Sequence, residues 1–409
     1  LFFVGDSNPL LNLPGRPLID LVSGVIMIIG VIVTLRWWRQ ARCALLLIAL
    51  VFIVPTALHA PSSPNFLAYA PLLPLIALFF GVGVSTLYHS LPRGSRRIAA
   101  LGLIALLAFN LVWVTRDFFT NWVALPDMQS AYNVRLGELA HYIDLTAGQT
   151  PTVICTSDLK APTNPIILTN TQLLALMMNR QDAVLRYADC GSALILTDGG
   201  NLEQVILSDP TGINAVNPTL QTWLAQGTML SQANLPPQSV IRLQVADALA
   251  NHIGSFMTTA PIRFDPQAGG DQQVAAPPLT FGGNLTFLGY EHSWAPTYSP
   301  GDVVPVTTYW RVDGVVPSDL RLFTHILADP TSIAAQNDPI SVLAETLRPR
   351  DIFIQVTYVM LPRTMPLGKY SISVGAYRDT TPQMRLPVLV NGQPHGTRLF
   401  LGQITVQGK

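Results

Sequence analysis

Apolar positions come in two textures along this chain. The first is continuous: residues 21–35, 43–58, 66–89 and 98–115 contain no Asp, Glu, Lys or Arg. About 20 helical residues cross the roughly 30 Å of hydrocarbon in a bilayer, and each run nears that length once its Trp, Tyr or polar flanks are added. The pattern predicts four membrane-spanning helices over residues 21–115. The second texture is periodic. Over residues 127–145, Met128, Tyr132, Leu136, Leu139, Ala140 and Ile143 recur at helical spacing and predict an amphipathic juxtamembrane helix. Residues 152–155, 184–187, 193–196 and 204–207 read as short buried strands, with helices over 171–178, 218–225 and 247–256, which together make a small α/β layer.

Beyond residue 278 the texture changes again. Residues 285–290, 303–311, 322–327, 352–361, 370–377 and 399–406 are rich in β-branched and aromatic side chains. Turn chemistry separates them, as at Ser299-Pro300-Gly301-Asp302, Pro366-Leu367-Gly368 and Asn391-Gly392. Strands without helices predict an antiparallel β-sandwich. The expected fold class is therefore a multi-domain membrane protein: an α-helical transmembrane bundle, a small α/β domain and a C-terminal β-sandwich. The expected divisions are an extracytoplasmic loop over 1–20, the membrane region over 21–115 and a juxtamembrane helix plus α/β domain over 116–264. A Gly, Gln and Pro-rich linker over 265–278 and the sandwich over 279–409 follow.

Composition and charge sharpen this reading. The chain is 49% hydrophobic and 12% charged, the latter about half the usual share, so part of it is solvated by lipid. Lys and Arg resist translocation, and Arg36, Arg39, Arg42, Arg93, Arg96 and Arg97 lie in two loops on one side, against Arg16 and Arg116 on the other. This predicts a multi-pass plasma-membrane protein whose residues 1–20 and whose C-terminal domains are extracytoplasmic. Net charge is zero and no basic stretch lies outside the membrane loops, so nucleic acid is not an expected partner. No charged residue lies inside the spanning runs, which argues against a transporter or channel. The opening Leu1-Phe2-Phe3, without an initiator Met or a signal-peptide pattern, reads as the start of a C-terminal piece of a longer protein.

Candidate chemistry is sparse. No Cys/His zinc pattern, P-loop or Gly-x-Ser-x-Gly elbow is present, and the seven His residues are scattered, so no metal or cofactor is expected. Cys43 lies in a membrane run and reads as a small hydrophobe. Cys155 and Cys190, both at expected strand ends in an oxidising compartment, read either as a disulfide or as two buried thiols. The loop before the first span carries Asp6, Asn8, Asn12 and Arg16 among Gly and Pro. Those groups suit a sugar or phosphate at the outer interface, and suit a well-capped turn equally. In the sandwich, Trp294, Tyr298, Trp310 and Tyr377 are candidates to stack on sugar rings if exposed.

The stretch FVGDSNPLLNLPGRPLIDLVSG, residues 3–24, is similar to a loop of bacterial, Chloroflexi-type members of glycosyltransferase family 39. These are dolichyl-phosphate-mannose protein mannosyltransferase-like membrane enzymes of the GT-C class. Gly5, Asp6, Asn8, Asn12, Leu13, Pro14, Gly15, Pro17 and Asp20 fit the loop's pattern. Residues 60–84 and the tail segments FLGYEHSWAPTYSPGDVVPVTTYWRV, FTHILADP, LPLGKYSISVGAYR and RLPVLVNG carry further resemblance. The resemblance implies transfer of a sugar from a polyprenyl-phosphate donor to a glycan, lipid or protein acceptor at the extracytoplasmic face. It places the acidic residue that serves as general base in an early outer loop upstream of this chain. Where the family has basic or His residues, this chain has Leu10, Leu11, Asn65 and Ala68, which leaves Arg16 as the nearby cation for a phosphate. The alternative reading is a non-catalytic membrane anchor for a glycan- or partner-binding sandwich.

Overall fold

A computed structural model describes residues 5–58, 70–146, 150–159, 168–180, 182–209, 211–230, 240–254, 262–264, 274–380 and 384–408. Two compact units meet at Val134 and Arg135. The first holds α1 (Leu21–Arg36), α2 (Ala41–Leu58), α3 (Leu73–Ser90), α4 (Arg96–Arg116) and α5 (Pro126–Ala131). α4 runs on into a π-helical turn, Asp117–Trp122.

Among the described residues two segments are long and apolar enough to cross a membrane, Ala70–Ser90 and Arg96–Trp122, not the four expected. α1 and the start of α2 form a pair bent by 114°. The reason is length: 16 residues give α1 only about 24 Å before the turn at Trp37–Gln40 breaks it. The outer loop expected over 59–65 lies outside the described residues.

Glycine decides how α1 meets α3. A Cβ on Gly30 would stand 1.8 Å from the Phe79 carbonyl oxygen, and one on Gly83 would stand 2.0 Å from that of Ile26. The two backbones touch there, the close approach that small residues permit between membrane helices. No side chain of α4 is buried, and Leu101, Leu111 and Val112 are more than 60% exposed, an apolar surface suited to lipid.

The second unit opens with α6 (Val134–Thr146). The single helix expected over 127–145 is broken, because Asn133 takes a left-handed conformation (φ 49°) between α5 and α6. Then come β1 (Thr152–Cys155), α7 (Asn170–Met177), β2 (Leu185–Ala188), β3 (Ala193–Leu196) and β4 (Glu203–Leu207). α8 (Pro218–Leu224), β5 (Thr228–Leu230), β6 (Val240–Leu243) and α9 (Ala246–His252) follow. The sheet order is β2-β1-β4-β6-β5, with β1 parallel to both neighbours and β6 antiparallel to β4 and β5. Side chains alternate across it. Ile154, Tyr187, Ile206 and Val240 pack under Leu136, Leu139 and Ile143 of α6, while Val153, Val205 and Ile241 face α8 and the remainder of the unit.

The remaining strands are β7 (Ile262–Phe264), β8 (Val274–Ala275), β9 (Leu279–Phe281), β10 (Leu285–Glu291), β11 (Thr297–Tyr298), β12 (Val303–Val312) and β13 (Leu320–Leu327). They continue with β14 (Ile333–Asn337), β15 (Ile352–Met360), β16 (Gly368–Arg378), β17 (Met384–Arg385), β18 (Val388–Val390), β19 (Gln393–Pro394) and β20 (Leu399–Val406). They form two sheets, β19-β18-β9-β10-β12-β15-β3 and β14-β13-β16-β20-β7-β8, with β11 and β17 attached to the second.

β3, expected in the α/β layer, instead pairs antiparallel with β15, Leu196 opposite Ile352 through Ala193 opposite Gln355. One hydrophobic core therefore runs from Val153 and Leu220 to Ile372 and Leu401, and residues 135–409 are a single unit. Of the linker expected over 265–278, residues 265–273 lie outside the described residues, and β8 and a cis Pro277–Pro278 bond occupy the rest.

A buried charge cluster sits within this unit. Glu203 is fully buried; its Oε2 accepts the Thr197 N–H at 2.6 Å, while Oε1 has no hydrogen-bond partner among the described residues. Burial pushes its carboxyl from 4.5 up to about 8, against the opposing pull of the Thr197 hydrogen bond. Between those two values the folded state keeps a proton that the unfolded state has lost, so stability falls as pH rises from 4.5 to about 8 and levels off above it. The Glu203→Gln variant is expected to lack this slope. Denaturation midpoints at pH 4.5, 6.5 and 8.5 check it; parallel profiles for variant and wild type would remove Glu203 from the account.

Candidate functional site at the end of the helical unit

The loop of residues 5–16 closes on itself. Gly15 N–H donates to the Asp6 carbonyl at 2.9 Å and Arg16 N–H to that of Leu13 at 3.1 Å. A Cβ on Gly5 would lie 2.0 Å from the Arg16 carbonyl oxygen, and Gly15 holds φ 75°, so glycine is required at both positions. Three of the four polar side chains predicted to meet a ligand serve this turn instead. Asp6 Oδ1 accepts the Asn8 N–H at 2.9 Å, and Asn8 Oδ1 accepts that of Leu10 at 3.0 Å. Asn12 Oδ1 accepts the Leu13 N–H at 2.8 Å, and its amide donates to the Arg16 carbonyl at 3.4 Å. These are local Asx-type bonds that build the loop. They leave Arg16 as the member of the set that lines a cavity.

That cavity, about 350 Å³, opens between the loop, α1, α3 and α4. Its polar wall is Arg16, Asp20, Ser23 and Asn110; its apolar wall includes Met27, Phe80, Leu107 and Trp113. Each polar group is held. Asp20 caps α1, with Oδ1 accepting the Ser23 N–H at 2.9 Å and Oδ2 accepting the Asn110 amide at 2.9 Å. Arg16 Nε lies 3.3 Å from Asp117 Oδ2, whose side chain is 8% exposed. Asp117 Oδ1 accepts the Asn121 amide at 2.7 Å. Trp122 Nε1 donates to the Pro9 carbonyl at 2.7 Å, so the π-helical turn grips the loop at two points. Such turns recur at functional sites.

A second cavity of about 880 Å³ follows along α4, with Ala99 to Leu106 on one side and residues of α3 such as Val84, Leu87 and Tyr88 on the other. From Ala99 to Val114 the two cavities cover about 24 Å of helix. The first cavity sets one cation, Arg16, and a few polar groups beside an apolar wall, while the second is lined mainly by apolar side chains of α3 and α4 and shares no lining residue with it.

Sequence reading missed Asp20, Ser23, Asn110, Asp117 and Trp113 as site residues. One signal was available: Asn110 is the lone amide within the apolar run of residues 98–115. In the second unit, Cys155 and Cys190 form a disulfide with Cα atoms 5.3 Å apart. The aromatic residues singled out for sugar stacking are not presented as a platform. Trp310 (1% exposed) packs against Phe281 and Phe287, Trp294 stacks on Tyr290, Tyr377 is buried, and the Tyr298 hydroxyl accepts the Ala295 N–H.

Comparison with known proteins adds little. No family model matches the sequence, and no curated protein does. Among solved structures, the sporulation control protein Spo0M of Bacillus subtilis aligns over 31% of this chain and 49% of that one, at 16% identity and a TM-score of 0.19. The chain thus spans about half the length of that protein, and the likeness is too slight to carry an argument.

Proposed function

We propose that this chain is the C-terminal part of a bacterial membrane glycosyltransferase related to family 39, which moves a sugar from a polyprenyl-phosphate donor to a hydroxyl acceptor outside the cytoplasm. The observation that carries the reading is Arg16, anchored by a buried Asp117 beside the apolar wall of the first cavity. Its sequence context, the loop within residues 3–24, resembles a loop of that family. The arginine-bearing turn at 93–97 then faces the cytoplasm, with the loop of residues 5–16 and residues 135–409 outside.

The acceptor oxygen bonds the anomeric carbon while the bond from that carbon to the phosphate oxygen breaks, its electron pair staying on the phosphate. The acceptor's proton passes to a base that these residues do not supply. Arg16 binds the donor phosphate and stabilises the charge that builds on it as the sugar leaves. The alternative, a non-catalytic anchor for a glycan-binding sandwich, relied on exposed aromatic rings, and three of the four are buried.

An arginine–phosphate hydrogen bond contributes about 1.5–3 kcal/mol, so Arg16→Ala is expected to weaken binding of undecaprenyl-phosphate mannose or glucose by roughly 10- to 100-fold, with Arg16→Lys between. Titration of the intact protein in lipid nanodiscs tests this. Equal affinity for wild type and Arg16→Ala would overturn the assignment.

A further inference from the structure

The charges around the pocket do not balance in favour of an anion, and this bears on which phosphate it holds. Arg16 and Asp20 are the ionisable groups of its wall. Behind Arg16 stands Asp117, 3.3 Å from Nε, and Asp6 is buried in the same loop at 3% exposure. The neutral polar groups do not tip the balance, since Asn110 already donates to Asp20 and to the Leu106 carbonyl. The N-terminus of α1 adds about half a positive charge, and Asp20 caps it. One guanidinium and half a helix charge thus face at least two carboxylates. Because Asp117 engages Arg16 through Nε, the two terminal nitrogens remain for a ligand, and no other partner of the guanidinium is found among the described residues.

We propose that Asp117 and Asp20 make this pocket selective for a singly charged phosphodiester over a doubly charged phosphomonoester, so that sugar-loaded polyprenyl phosphate is held and the sugar-free carrier is released. The proposal rests on the reading of the pocket as a polyprenyl-phosphate site. A phosphodiester carries one negative charge at every relevant pH, whereas a monoester loses its second proton near pH 6. Arg16 offers both ligands the same pair of donors. The guanidinium attracts the second charge as well, but Asp117 offsets that attraction, so Asp20 leaves a net repulsion that the half charge of the helix end only partly cancels. At a separation on the order of 7 Å and an effective dielectric of about 40, each carboxylate disfavours that extra charge by roughly five- to tenfold. Transfer creates that charge, because the phosphate that leaves the sugar is a monoester. The reaction itself therefore weakens the hold on the carrier.

The test compares dissociation constants of undecaprenyl-phosphate mannose and undecaprenyl phosphate for the intact protein in neutral nanodiscs at pH 7.5 and pH 5. Wild type is expected to favour the diester at pH 7.5 and to lose most of that preference at pH 5. Asp117→Asn and Asp20→Asn keep shape, and Asn caps a helix as well as Asp does. Each is expected to shift the affinity ratio toward the monoester by about five- to tenfold at pH 7.5. A structural defect would lower both affinities together and leave the ratio alone. The proposal is overturned if wild type binds both ligands equally or prefers the monoester, or if neither variant moves the ratio. If wild type binds neither ligand, the reading of the pocket falls, and the selectivity with it.

Discussion

Replacing Arg186 by alanine is expected to cost about 3–5 kcal/mol of stability, the largest effect of any single change in the second unit. Arg186, on β2, donates through Nε and Nη2 to the two carboxylate oxygens of Asp351 at 3.0 and 3.3 Å, and through Nη1 to the Val184 carbonyl at 3.4 Å. Asp351 is fully buried just ahead of β15 and also accepts the Asp198 and Arg348 N–H groups. The pair thus ties the five-stranded sheet to the seven-stranded one. Truncation leaves a buried carboxylate with two backbone donors and no counter-ion. The double variant Arg186→Met/Asp351→Leu removes both charges and is expected to recover much of the loss. Denaturation of the intact protein followed by tryptophan fluorescence reads both; a loss below about 1 kcal/mol for Arg186→Ala would show that the pair is dispensable.

The second large effect is expected from the disulfide. Cys155 ends β1 and Cys190 follows β2, its parallel neighbour. The bridge closes a loop of 35 residues, for which the chain-entropy account gives about 4 kcal/mol at 25 °C. Both side chains are at most 5% exposed, so Cys155→Ala/Cys190→Ala avoids burying new polar groups and isolates the cross-link. The double variant is expected to unfold at clearly lower denaturant concentration than the oxidised wild type. Reduced wild type should match it, and coincident curves for all three would contradict the assignment.

Much of the layout was legible because its physics is local. Freedom from charge marked the apolar helices, and runs of β-branched and aromatic residues between Gly and Pro turns marked β10, β12 and β16. What failed was tertiary. Ala193–Leu196 is apolar at every position, which announces a strand buried on both faces without saying which sheet owns it. β5 and β6 flank a stretch rich in Gln, Asn and Pro, residues 231–239, and their runs of three and four residues are too short to stand out as strands. α1 looked like a span by composition, and only the bend after Arg36 shows it to be too short.

The site divides in the same way. Arg16 could be singled out as the one cation in a Gly/Pro loop. Asp6, Asn8 and Asn12 carry identical chemistry whether they bind a sugar or cap a turn, and the turn claims them. Asp117 lies 101 positions from Arg16 in the chain, so its role emerges only when α4 is placed beside the loop.

The most direct test of the central claim is photocrosslinking of the intact protein, in membranes, with a polyprenyl phosphate that carries a diazirine near its head. The account predicts labelled peptides from the α1 start, α3 and the end of α4, around Ser23, Phe80 and Trp113, with labelling competed by undecaprenyl-phosphate sugar and reduced in Arg16→Ala. Labelling confined to other segments, or equal with and without competitor, would contradict a polyprenyl-phosphate site in this pocket.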